Sequence, residues 1–120
     1  MLTTKNIGDY GETLAVEFLK KKKYKILGRN IRTKFGEVDI LAERDKKIIV
    51  CEVKARSGNG QFGRPEEAVN YFKQQKLIKM AKWLSMERQY ANRVFQIDVV
   101  AIAFGNPPKI EHLENVILDC

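Results

Sequence analysis

The segment Gly36-Glu37-Val38-Asp39-Ile40-Leu41-Ala42 runs through Glu43-Arg44-Asp45-Lys46 into Lys47-Ile48-Ile49-Val50-Cys51-Glu52-Val53-Lys54. Two apolar, β-branched runs flank a short charged linker, which is the pattern of a β-hairpin. Asp39, Glu52 and Lys54 are charges inside those runs. A charge in an apolar strand is costly unless it is paired or holds a metal. Side chains alternate faces along a strand, so Glu52 and Lys54 share one. With Asp45-Lys46 as a two-residue turn, Arg44 pairs with Lys47 and Asp39 falls opposite Glu52. The three polar groups then converge at one place on the sheet. A slip of one residue would turn Asp39 to the other face, so the register decides the reading.

Two carboxylates and a lysine in this arrangement suit a hard divalent cation. Mg²⁺ takes oxygen ligands, uses one or two protein carboxylates and keeps waters or phosphate oxygens in its other positions. The lysine is placed to neutralise phosphate charge or to orient an attacking water. The plainer reading is a hairpin carrying an ordinary Lys–Glu pair on a solvated face. The spacing and the apolar frame favour the site.

Gly36-Glu37-Val38-Asp39-Ile40 with Glu52-Val53-Lys54 resembles the PD-(D/E)xK nuclease motif in the form used by archaeal Holliday junction resolvases. The wider chain resembles the small bacterial YraN-like family of predicted nucleases. The likeness takes in Gly8-x-x-Gly11-Glu12, Asn30, Arg56, Phe62-Gly63, Lys73 and Arg93-x-x-x-x-Asp98. Glu37-Val38 precede Asp39 with no proline, and the proline of the motif's name is also absent in resolvase-like relatives. The resemblance implies one restriction-endonuclease-like nuclease domain over residues 1–120, an α/β fold with a central mixed sheet flanked by helices. It implies Asp39, Glu52 and the Val53 carbonyl as ligands of Mg²⁺ or Mn²⁺, Lys54 as a catalytic residue, and Glu12 as a further member of the site. It also implies a homodimer if four-way junctions are cut, because the resolvases are dimers. On the residues alone, Glu12 reads first as a first-turn acid favoured by the helix dipole, and the resemblance brings the site role level with it.

The chain has 22 basic and 15 acidic residues and a net charge of +7, a balance that suits a polyanionic partner. DNA is expected ahead of RNA. Lys20, Lys21, Lys22 and Lys23, with Lys25, Arg29, Arg32 and Lys34, form a basic zone expected to lead into the site; the alternative is a solvated helix end. Arg56, Arg64, Lys73 and Lys76 are the other candidate phosphate contacts, with Lys79 continuing their three-residue spacing. No run approaches a membrane span or a signal sequence, so a cytoplasmic protein is expected. The two cysteines suggest free thiols, and a single histidine argues against a zinc site.

The remaining pattern predicts a helix over about 8–22 with Tyr10, Leu14, Ala15, Phe18 and Leu19 inward. A strand follows over 24–32. After the hairpin, three glycines predict a mobile loop in which Phe62 either anchors to the core or stacks on a base. A helix is predicted from Pro65 to about Arg88, with Phe72, Leu77, Met80 and Leu84 inward. Strands over 93–103 and 109–118 complete the sheet, the last as an edge strand with His112 on the surface. Two other functions stay open on these residues: a nucleic-acid-binding module with negligible catalysis, and an adaptor whose basic face binds a protein.

Overall fold

Asp45 and Lys46 both take positive φ, 51° and 67°, so the hairpin closes through the mirror-image turn that matches strand twist. That turn fixes the register as expected: Arg44 pairs with Lys47 and Ile40 with Cys51. The computed structural model describes residues 4–56 and 71–116, with side chains from residue 8 onward. Helix α1 spans Thr4–Lys21, strands β1, β2 and β3 span Lys25–Thr33, Gly36–Arg44 and Lys47–Arg56, helix α2 spans Tyr71–Ser85, and strands β4 and β5 span Val94–Ala103 and Lys109–Leu113. The loop with Phe62 and Arg64, and the helix start at Pro65, lie outside the described residues.

The five strands form one mixed sheet in sequence order. β3 and β4 pair in parallel, and every other neighbouring pair is antiparallel. The parallel pair needs a crossover, and α2 lies on it, as in a βαβ unit. α1 covers one face, packing Ala15, Val16 and Leu19 against Ile40, Ile49, Cys51 and Val100. α2 covers the other, packing Leu77, Met80 and Leu84 against Leu41, Val50 and Val99. This is the expected α/β architecture, a mixed sheet between helices. Among the described residues no helix is long and apolar enough to cross a membrane.

Several local expectations change. Phe72 is 80% exposed and Tyr10 is half exposed. Tyr10 stacks on Phe104 at 5.4 Å instead of entering the core. β5 stops at Leu113, short of the expected 118. Asn115 takes a left-handed conformation, φ 54°, and its N–H donates to Asp98 instead of continuing the ladder. His112 is not on the surface: its side chain is 3% exposed, against Asp98.

Candidate metal and phosphate site

β2 does not keep one face throughout. Val38 packs on the α2 side, and Ile40, two residues later, packs on the α1 side. A regular strand would put both on one face, so β2 turns over at Asp39. Across from it, Asn30 sits between the pairs Arg29–Ile40 and Ile31–Val38 with a φ of 52°, a conformation asparagine tolerates. The β2–β3 ladder also ends at Ile40–Cys51. Continued by one step, that register sets Asp39 opposite Glu52. There the side chain replaces the ladder, and Asp39 Oδ2 accepts the Val53 N–H at 2.8 Å.

Glu52 is only 6% exposed. Its Oε1 lies 3.8 Å from Lys54 Nζ and 2.8 Å from Lys73 Nζ. Lys73 was expected to flank the site as a phosphate contact; instead α2 delivers its ammonium directly onto the carboxylate. Asp39 is pushed up to about 7, first by loss of solvent and then by the charge of Glu52. The Val53 N–H and Lys73 hold it down, while Glu12 adds to the rise. Asp39, Glu52, Lys54, Lys73 and Glu12 therefore share one electrostatic neighbourhood.

Glu12 reaches that neighbourhood because α1 lies close to the sheet. A Cβ on Gly11 would come within 2.5 Å of Ala55 Cβ, so only glycine permits this approach. Burial raises the Glu12 carboxyl above its ordinary value, against the opposing pull of Arg29 and Asn30. Its Oε1 is shielded from solvent and accepts no hydrogen bond among the described residues, with Arg29 at 3.6 Å. Glu12 thus brings a shielded carboxylate oxygen, with Arg29 as an ion-pair partner beyond hydrogen-bond distance, beside two further carboxylates, a donor set that suits a cation.

The basic zone divides. Lys20 to Lys23 lie at and just beyond the far end of α1, eight or more residues past Glu12, which is upwards of about 12 Å of helix. Lys22 turns inward, its Nζ 2.6 Å from His112 Nδ1 and 5.4 Å from the centre of the Phe18 ring. Lys76 instead lies beside Gly36, at the start of β2. Arg56 closes β3, and its carbonyl accepts the Phe104 N–H at 2.9 Å.

A second polar cluster was not foreseen as a unit. Asp98, His112 and Glu114 bring potential ligand atoms within 4.8 Å of one another, close enough for one cation. Asp98 is fully buried and accepts from His112 Nε2, Gln96 and the Asn115 N–H at 2.7, 2.8 and 3.0 Å. The Tyr24 hydroxyl lies between Asp98 and Glu114 at 3.2 and 2.8 Å. With the Lys22 ammonium donating to Nδ1, His112 carries its proton on Nε2 and donates it to Asp98. Burial would raise the Asp98 carboxyl, but these donors outweigh it and hold it below its ordinary value. The lone pairs are already satisfied, so the cluster ties β4, β5 and the end of α1 together without a cation. Arg93 and Asp98, both part of the wider family resemblance, make their hydrogen bonds with groups other than Asp39. Arg93 binds Glu43 and the Lys46 carbonyl at the hairpin turn.

Comparison with known sequences places these features in a family. Residues 11–102, a span that includes Glu12, Asp39, Glu52, Lys54 and Lys73, match the model of the uncharacterised protein family UPF0102. A UPF0102 protein of Thermodesulfovibrio yellowstonii is 49% identical over 111 residues, covering 91% of this chain and 93% of the relative. One from Geobacter metallireducens is 44% identical over 116 residues, covering 95% and 93%. One from Clostridioides difficile is 38% identical over 114 residues, covering 95% and 98%. With a family model matching most of its length and relatives matching more than nine-tenths of it, the chain belongs to the uncharacterised protein family UPF0102.

Proposed function

We propose that the chain is a divalent-cation-dependent nuclease that hydrolyses phosphodiester bonds in DNA. The observation that carries this reading is the convergence of Asp39 on Glu52 in a buried place, where loss of solvent first and the Glu52 charge second push the Asp39 carboxyl up to about 7. Two carboxylates forced together at a low-solvent break in the sheet are destabilised without a cation. The unsatisfied Glu12 Oε1 adds to the fit. Asp39 and Glu52 would hold Mg²⁺ or Mn²⁺, with Glu12 as a third carboxylate and the Val53 carbonyl as the further ligand that the resemblance implies. When bound, the cation supplies Lewis-acid activation of the phosphodiester and of the attacking water.

The chain's own groups do the rest. Lys54, on the same face as Glu52, is placed to stabilise the charge that grows on the phosphate oxygens. Lys73 neutralises Glu52 before substrate arrives and is positioned to shift its ammonium to the phosphate. The Val53 N–H holds the Asp39 carboxylate in one orientation, which limits the loss of geometry that disables such sites.

A second reading has its own observation. The Lys73 ammonium, 2.8 Å from Glu52, already supplies the positive charge that a cation would bring. That internal ion pair favours a nucleic-acid-binding module with negligible catalysis. One assay separates the two. Linear, flap and four-way-junction DNA are incubated with the protein in Mg²⁺, Mn²⁺ or EDTA. Metal-dependent cutting that is lost in Lys54→Ala is the expected result. Binding without cutting in any metal would replace the nuclease with the binding module.

A further inference from the structure

The turn between β1 and β2 carries a surface that the site does not use. Phe35 stands there 39% exposed, with Lys34 Nζ 5.9 Å and Lys79 Nζ 5.8 Å from its ring centre. Beside it runs an open groove of about 560 Å³ lined by Arg32, Thr33, Lys34, Gly36, Glu37 and Lys76. Glu37 is the one acid among those lining residues and is spanned by Arg32 at 3.6 Å, so the charge of the groove is positive. The ring is held on a fixed turn. Thr33 Oγ1 accepts the Phe35 N–H at 3.1 Å and donates to the Gly36 carbonyl at 2.8 Å. Gly36 takes a φ of 138°, which a side chain would oppose.

The plain reading of two lysines over a phenylalanine is that their stems shield it from water. The layout argues for more. Lys73, Lys76 and Lys79 are three residues apart on α2, and they run from Glu52, past Gly36, to Phe35. They cover about 9 Å of helix and join the candidate site to the aromatic ring. A lysine track that ends on a cation-flanked ring carried by a fixed turn matches the way single strands are held, with phosphates on cations and a base on an aromatic face.

We propose that Phe35 is a stacking platform for an unpaired base of a nucleic-acid strand, with Lys34 and Lys79 holding the adjoining phosphates. The platform gives the site a preference for strands with accessible bases, such as flaps and single-stranded ends, over blunt duplex. This rests on the nucleic-acid part of the function proposed above, and not on catalysis.

The test is fluorescence anisotropy in EDTA, with a short labelled oligothymidylate and a blunt duplex as probes. Phe35→Ala should weaken oligothymidylate binding by ~5-fold or more, and duplex binding by less than about twofold. Phe35→Trp, which keeps the ring face, should restore the difference and guards against a folding defect. Lys79→Gln should lower the salt slope by about one unit on the single strand. Equal loss on both probes would make the surface a plain phosphate contact and overturn the platform. So would no loss on either probe, or no wild-type binding to the single strand. Phe35-dependent binding without metal-dependent cutting would remove the nuclease reading alone; cutting with Phe35-insensitive binding would remove this inference alone.

Discussion

The Val53 N–H donates to Asp39 Oδ2 at 2.8 Å across the point where the β2–β3 ladder stops. This bond favours the ionised carboxylate, but burial and then the charge of Glu52 outweigh it and make ionisation unfavourable in the folded chain. The folded carboxyl, at about 7, lies above the ordinary unfolded value of ~4, so the native state binds the extra proton between those pH values. Stability from this group is present below pH ~4 and is lost as pH rises through about 7. Asp39→Asn keeps an oxygen for the Val53 N–H and removes the charge. In EDTA it should be more stable than wild type at pH 8 by on the order of 2 kcal/mol, and equal to it near pH 4. Urea denaturation at the two pH values checks this. A mutant less stable than wild type at pH 8 would make Asp39 a structural partner.

Cation binding should show directly in thermal stability. At a hundred times its dissociation constant, Mn²⁺ stabilises a folded-state site by about 2.7 kcal/mol, roughly 10 °C for a domain of this size. Asp39→Asn and Glu52→Gln should lose most of that rise. His112→Ala should keep it, because the Asp98 cluster is already satisfied by hydrogen bonds. A rise that survives in Asp39→Asn and disappears in His112→Ala would move the cation to Asp98, His112 and Glu114.

Lys73 holds Glu52 in the metal-free protein, so its loss should have opposite effects in the two states. Lys73→Met leaves a buried carboxylate with Lys54 as the more distant partner and should cost the apo protein roughly 1–3 kcal/mol. It also removes the ammonium that competes for Glu52, so Mn²⁺ should bind more tightly than to wild type. Calorimetric titration measures the second effect and denaturation the first. Weaker Mn²⁺ binding in Lys73→Met would mean that the lysine organises the carboxylates instead of competing for them.

The Asp98 cluster should matter to folding alone. His112→Ala withdraws a donor from a fully buried carboxylate and should cost about 2–4 kcal/mol. Because the folded Asp98 carboxyl lies below its ordinary value, its stabilisation is present at neutral pH and is lost as pH falls below about 4. The acid side of the wild-type stability profile should therefore be steeper than that of Asp98→Asn, a difference that melts at a series of acid pH values detect.

The hairpin was legible because its signals are local. Two β-branched runs and a two-residue linker specify a register, and Ile40–Cys51 follows from Arg44–Lys47 by counting. The positions of Lys22 and Lys73 were not legible, because each depends on how a helix is rotated against the sheet. Lys22 belongs to a run of four lysines, and nothing in that run marks the one that meets His112. Lys73 shares its three-residue spacing with Lys76 and Lys79, yet it is the one that meets Glu52. Phe72 reads as core by type and is exposed for the same reason. The early end of β5 rests on Asn115, whose N–H is captured by Asp98, seventeen positions earlier in the chain. Phe35 carried no periodic signal, since a turn has none.

The contact of Gly11 with Ala55 makes the gap between α1 and the sheet a gauge cut by two of the smallest residues. Glu12 is the next residue on that helix, so the reach of its carboxylate is set by its neighbour's missing side chain more than by its own. A single methyl at position 11 would have to lift the helix by more than the ~0.5 Å that functional constellations tolerate. The acid would still be a glutamate, at the same place in the sequence and with the same intrinsic chemistry. It would be withdrawn from Asp39 as a drawbridge is raised, and the site could be retuned, or retired, from a position that never touches a ligand.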